Sequence, residues 1–495
     1  MRVWWGRYAE AELQGVIDGI RARGEPLEWH EFAGPPVAPD QDATPLYREA
    51  WRSLQALDRE FDGTLLGPRG LLSDLLTYPQ FRHQRAADLR RIVQRSQPIV
   101  MLCRQARDRP ACTWGCTFTD HEAEQYPRML RLCVPLTRLL CLNAVARSEE
   151  ARHGDAIECL RDALRLADAA YAYPASIPSM TARRLEGIIT VSVEQTAPRL
   201  GVGPAPAASR EQFRQLIAAL LDETARRRGR VRASQEHRTN AYLMVRSARQ
   251  KTQAERTQDG LPGRLGAFIL QPMIALDVAR VLRMQSAHVA YAGGSNKDDS
   301  RDAFRKHWPR GIPEDPDRWE DSMGSVGRVA YALSRLLVHD FGDVHVLDRR
   351  ILGGRRMAAT ALATRLYQLD HGTRPETLGD LVPGYLAQLP RDPEAEGDPI
   401  RYLPVAEEPR LYCVNDNETD DGGMYWHADA QPGAEKHYSP AAPDLAFFLD
   451  GMRPRASRSE PEPVEHDRRG PPRFEFLMPT TRSSTATSTA PTAPR

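Results

Sequence analysis

The chain has 495 residues, with 67 basic and 66 acidic side chains for a net charge of +1, 41% hydrophobic residues and 27% charged ones. With a mean hydropathy of -0.53, this profile describes soluble globular material with length for two or more domains. It excludes a polytopic membrane protein, a collagen-like chain, a disulfide mini-protein and a chain disordered throughout.

In chain order, the start Met1-Arg2-Val3-Trp4-Trp5 is a short apolar-aromatic patch, and tryptophan favours the membrane–water boundary. No run of 18 apolar residues follows anywhere, so no transmembrane helix is expected in this chain. An anchor encoded upstream of Met1 would place the protein at the cell envelope. Residues 7–25 read as a polar helix ending near Gly24 and Pro26, and a Pro-rich linker, Gly34-Pro35-Pro36-Val37-Ala38-Pro39, follows. Residues 44–61 and 84–107 read as amphipathic helices, the first with Leu46, Ala50, Leu54 and Leu57 on one stripe.

The clearest periodic signal spans 126–172. Leu130 to Val145 form one helix, Ala151-Arg152-His153-Gly154-Asp155 the turn, and Ala156 to Ala167 a second helix. Gly154 suits the left-handed position that ends a helix, and Asp155 suits the cap of the next. This αα-hairpin resembles one tetratricopeptide-type unit, although no copy recurs at a 34-residue period. Further helices are expected over 182–197, 209–227, 237–250, 273–292, 324–338 and 348–371, the last stopped by Gly372. The stretches 198–208 and 293–318 read as loops, and Pro375–Pro383 as a short helix with proline in its first turn. Two strands are expected at 399–404 and 410–415. Residues 452–495 hold eight prolines and eleven serines or threonines, a composition that favours disorder.

The segment 366–393 carries a family likeness. It reads Tyr367-Gln368-Leu369-Asp370-His371-Gly372, then Pro375, Leu378-Gly379-Asp380-Leu381-Val382-Pro383, then Leu389-Pro390-Arg391-Asp392-Pro393. This order of short motifs before a β-hairpin resembles the major pseudopilin of type II secretion, over about 60 residues. A wider resemblance is to uncharacterised bacterial proteins that place a long helical region before the same segment. The pseudopilin likeness implies a small α+β lobe and a calcium-binding loop at 415–423. Two features depart from it: there is no prepilin peptidase site with an apolar helix, and the usual Asp-Pro-aromatic-Gly turn becomes Asp392-Pro393-Glu394-Ala395-Glu396-Gly397.

The expected architecture is therefore mainly α. It has an N-terminal helix and linker (1–40), an irregular all-α region (41–347), a pseudopilin-like α+β lobe (348–451) and a disordered tail (452–495).

Several residue groups bear on chemistry. Between Asp392 and Asp421 ten acids meet two arginines, and Asp416, Asn417, Asp420 and Asp421 offer hard oxygens that suit a structural calcium. The alternative is a solvated acidic loop. Cys112 and Cys116 with His121 suggest zinc, but the C-x3-C spacing lacks a second pair unless Cys133 joins, which favours buried thiols. Seven cysteines, an odd number, point to free thiols in a reducing compartment. His339-Asp340 with His345 and Asp348 suggests a metal-dependent hydrolase, and His427, Asp429, Glu435 and His437 form a looser cluster. Residues 226–256 hold ten basic and two acidic side chains, suited to nucleic acid or anionic lipid if gathered on one face. Arg226, Arg227, Arg228, Arg230 and Arg232 spread around a helix axis, however, which favours pairing with acids elsewhere, such as the acidic loop. No phosphate-binding or dinucleotide fingerprint and no nucleophile elbow occurs. The function expected from the sequence is a non-enzymatic scaffold with a protein partner. A hydrolase and a basic-patch binder are the alternatives, and no cofactor beyond the calcium is implied.

Overall fold

The computed structural model describes residues 2–67, 70–116, 118, 126–255, 261–294, 297–308, 342–395, 397–404, 407–415, 417, 419–424 and 444–451. Its helices are α1 (Arg2–Ala22), α2 (Thr44–Glu60), α3 (Leu71–Thr77), α4 (Pro79–Gln84), α5 (Ala86–Arg95), α6 (Gln97–Arg107), α7 (Tyr126–Glu149), α8 (His153–Tyr171), α9 (Ser176–Thr196), α10 (Arg210–Leu221), α11 (Thr224–Glu255), α12 (Leu261–Gly293), α13 (Lys297–His307) and α14 (Gly342–His371). Strands β1 (Arg401–Leu403), β2 (Arg410–Cys413) and β3 (Leu445–Phe448) form one antiparallel sheet in that order.

The mainly helical expectation holds, with boundaries moved for local reasons. The single helix expected over 84–107 is three pieces, α4 to α6. The second break falls at Ser96, just before Pro98, which lacks the N–H an interior turn needs and sits in the first turn of α6. The stretch 293–318 was expected to be a loop, but α13 occupies 297–307, where Phe304 and Trp308 stack beside His288. The expected helix 324–338 and the tail 452–495 lie outside the described residues. Between α7 and α8 it is Ala151, not Gly154, that takes the left-handed conformation, at φ 58°. Asp155 does not cap α8. It lies in the first turn and accepts from Arg152 at 2.9 Å and from Arg147 at 3.4 Å. Gly372 ends α14 as expected, with φ 78° and its N–H donating to the Gln368 carbonyl. Pro375–Pro383 holds a 3-10 turn, Leu378–Leu381, capped reciprocally by Thr377 and Asp380 rather than started by proline.

The two expected strands pair as a hairpin, with Arg401 opposite Tyr412 and Leu403 opposite Arg410. The third strand, Leu445–Phe448, was not foreseen and pairs with β2 on its other edge. Phe447 and Leu411 turn into the core, and the Phe448 N–H donates to Glu194 of α9.

Two apolar clusters hold the helices. The larger centres on α7, α8 and α9, where Leu139, Leu140, Cys141, Val145, Cys159, Leu160, Ala163 and Ile189 are fully buried. α14 adds Met357, Ala358 and Leu362 to it. A separate, smaller cluster meshes Ala9, Leu13, Ile17 and Ile20 of α1 with Ala275, Val278 and Leu282 of α12 and Val245 of α11. Ion pairs Glu12–Arg283 and Glu25–Arg238 flank it. α1, α11 and α12 thus form a three-helix arm with its own core. Among the described residues no helix is long and apolar enough to cross a membrane.

Candidate functional site

The chemically densest place in the described structure is the junction of α8, α9, α11 and α14. Each helix brings one or two ionisable groups to the same side. α9 supplies Arg183 and Glu186, α11 supplies Arg226 and Arg230, and α14 supplies Asp348 and Arg355. Glu186 is 0% exposed, Asp348 1% and Arg226 1%. Arg226 and Arg355 both donate to the Glu186 carboxylate, and Tyr171 of α8 donates to it at 2.8 Å. Asp348 accepts from Arg183 at 2.8 Å and from Arg230 at 2.9 Å, and pairs with Arg226 at 2.7 Å. Arg355 also donates to the carbonyls of Ala219, Leu220 and Asp222, closing the C-terminal end of α10.

The helices can approach this closely because position 229 is glycine. A Cβ there would lie 2.5 Å from Tyr171 Cδ1. Burial opposes the charge on Arg226, yet Asp348 and Glu186 hold its pKa above the usual arginine value. Asp168, facing the same junction from α8, has its carboxyl pushed up to about 7, chiefly by burial, against the pull of Arg355. Four guanidiniums over two fixed carboxylates make a buried lattice in which each carboxylate is shared by two or three arginines, and further donors of Arg230 and Arg355 go to backbone carbonyls.

This lattice absorbs two groups that the sequence had singled out. Asp348, read as a hydrolase ligand, is held by three arginines. His345 lies on α14, and His339 and Asp340 lie outside the described residues. The basic segment 226–256 turns much of its charge inward. Besides Arg226 and Arg230, Arg232 donates to the Ala172 and Phe32 carbonyls, Arg238 pairs with Glu25, and Arg246 pairs with Glu28 at 2.7 Å. Among the described residues, the acids that pair with these side chains are Glu25, Glu28, Glu186 and Asp348. Arg227 and Arg228 are exposed and line an open groove of about 620 Å³ with Asp222, Glu223, Thr224 and Gly293. Glu223 on its wall is engaged by Arg356 at 2.8 Å.

The acidic loop is organised around a residue outside the sequence-derived set. Asp444 Oδ2 accepts the backbone N–H groups of Asp421, at 3.1 Å, and Gly423, at 2.8 Å. Its Oδ1 is buried without a hydrogen-bond partner. Burial pushes the Asp444 carboxyl up to about 6; the Gly423 N–H opposes this, and the charges of Asp420 and Asp421 add to it. Of the four proposed calcium ligands, Asn417 donates to Asp421 at 2.8 Å, Asp420 pairs with Arg401 at 2.9 Å, and Asp416 lies outside the described residues. Among the described residues no group of three His, Cys, Asp or Glu side chains is placed to hold a metal ion.

All seven cysteines are free, and all but Cys116 are buried. Cys112 Sγ lies 3.6 Å from Thr44 Oγ1, and burial pushes its thiol up to about 12, which favours the protonated form over a zinc thiolate. Cys133 is buried in the α7 core, and His121 lies outside the described residues, as do His427, Asp429, Glu435 and His437.

Sequence reasoning missed Glu186, Arg183 and Arg355. The one signal was their spacing: Arg183 and Glu186 are three apart on one helix, and Arg355 interrupts the small-residue run of α14. No family model, no curated protein and no solved structure matches this chain.

Proposed function

We propose that the chain is a scaffold or protein-interaction protein whose binding element is the arm built from α1, α11 and α12. The observation that carries this reading is at the start of α1, where Trp4 is 71% exposed and stacked on the half-exposed Tyr8 with ring centroids 6.0 Å apart. A pair of large aromatic rings held by a folded helix, with a salt-bridged flank at Glu12–Arg283, is the composition of an interaction hot spot. The ionic lattice would hold the body rigid behind it. The C-terminal lobe, with its pseudopilin-like motif order, would dock or cap, which fits a place at the cell envelope. A basic-patch reading rests on Arg227 and Arg228 in the open groove.

The test is chemical crosslinking in native cells that carry a tagged chromosomal copy. A Trp4→Ser, Tyr8→Ser double variant is expected to lose the crosslinked species while its melting temperature stays within a degree or so, because such surface changes shift stability by less than about 0.5 kcal/mol. Unchanged crosslinks would refute the arm as the binding element.

A further inference from the structure

A second constellation lies where α9 begins against the middle of α11, away from the ionic lattice. Ser176 is the first residue of α9, and its Oγ is 2.6 Å from His237 Nε2 and 3.0 Å from Glu236 Oε2. The serine hydroxyl has one proton to donate. Glu236 is supplied from two other sources, the backbone N–H of Ser176 and the Asn240 side-chain amide at 2.5 Å. At rest the hydroxyl donates to Glu236, and a turn about its Cβ–Oγ bond, with no heavy atom moved, directs the proton across the shorter contact to the imidazole, which accepts at Nε2 in its Nδ1–H tautomer. Ser176 and His237 are both half-buried, so the pair is sheltered yet within reach of solvent.

The surroundings suit a reacting serine. Ile177 occupies the second position of α9, and an N–H there has no acceptor within its own helix. Pro178 contributes no N–H at all, so the Ile177 amide is the donor left at the helix end. That end also favours negative charge. Ile177 is 42% exposed and Met180, one turn on from Ser176, is 48% exposed, which offers an apolar rest for an acyl chain. Glu236, fixed by Asn240 and by the α9 backbone, holds Ser176 in register with the ring of the adjacent residue.

We propose that Ser176 is a serine nucleophile with His237 as its general base, taking the acyl group of small esters with apolar acyl chains. In that step Ser176 Oγ bonds to the carbonyl carbon and its proton passes to His237 Nε2. The carbon–oxygen bond to the leaving alcohol then breaks, and the alcohol oxygen takes the proton from His237. Water attacks the acyl-serine in the reverse sense, giving its proton to His237, and Ser176 Oγ recovers it as the acid leaves. This chemistry is additional to the scaffold reading and does not depend on it.

The experiment uses the full chain and a fluorophosphonate probe, whose phosphorus the serine attacks with loss of fluoride. The native protein is expected to gain one phosphonate, located on Ser176 by peptide mass, while heat-denatured protein gains none there. Ser176→Ala should abolish the label. His237→Gln should slow it by about 100-fold or more, the usual range for a positioned base. Native protein that leaves Ser176 unlabelled overturns the proposal, with no variant needed. So does a His237→Gln protein that melts with the wild type and labels at the same rate. Should His237→Gln fail to fold, His237→Asn serves instead: a folded His237→Asn protein that labels Ser176 at the wild-type rate overturns the assignment of the base.

Discussion

Two junctions between long helices solve the same packing problem in opposite ways. Where α7 meets α8 and α9 the contact is apolar, with Leu140, Cys141, Cys159, Leu160 and Ile189 fully buried. Where α9 meets α11 and α14 it is ionic, with Glu186, Arg226, Asp348 and Arg355 equally buried. Apolar packing is tolerant: a shortened side chain leaves a cavity, and neighbours relax in part. An ionic junction is intolerant, because each charge has been stripped of water and depends on a particular partner. The first junction supplies cohesion. The second fixes how α9, α11 and α14 are set against one another, since few other arrangements pair every charge.

The sharpest way to test this contrast is Glu186→Gln, which keeps volume but removes the charge shared by Arg226 and Arg355. It should cost about 3–5 kcal/mol in denaturant unfolding, with little dependence on salt. Leu140→Ala, at the apolar junction, should cost about 2–5 kcal/mol and leave the cooperativity of unfolding unchanged. A Glu186→Gln loss below 1 kcal/mol would mean that the lattice is dispensable.

A smaller effect is expected from Asp168→Asn. Burial pushes the Asp168 carboxyl from its ordinary value of 3.8 up to about 7 in the folded state. The folded state therefore holds this proton more tightly than the unfolded chain does. The stabilisation is fully present below about pH 4 and is lost as pH rises to about 7. The wild type should weaken across that window relative to the variant. Asp168→Asn should be the more stable of the two at pH 8, by about 1–2 kcal/mol after allowance for the partial exposure of the side chain. Parallel stability curves from pH 4 to 8 would contradict the buried-carboxyl account.

The mildest measurement is thiol reactivity. Burial pushes the Cys141 and Cys159 thiols up to about 12, and Cys116 alone is half-buried. A disulfide reagent should titrate about one thiol in the native protein and all seven after denaturation. Rapid reaction of several native thiols would show the apolar junction to be open.

Much of the helical frame was legible in the sequence because amphipathic periodicity is a local property. The stripe of leucines in α7, the small residues of α8 and the glycine stop after α14 all follow from neighbours three or four apart. The hairpin of β1 and β2 was legible for the same reason. β3 was not, since Leu445–Phe448 is four residues long and joins an edge that only the folded chain presents. The candidate site was the least legible part. Asp348 drew attention as a metal ligand and Arg226 as surface charge, because an isolated sequence gives an ionisable residue no indication of its burial.

The sequence by itself therefore determined the helical class and the helix stop at Gly372, which depend on spacing, composition and a local cap. Only the tertiary structure decided which charges are spent on one another and which residues, Ser176 and His237 among them, stand side by side. Glu186 is 40 residues from Arg226 and 169 from Arg355, and Ser176 is 61 from His237. Coulombic and hydrogen-bonding energies depend on distance through space, which chain spacing does not encode.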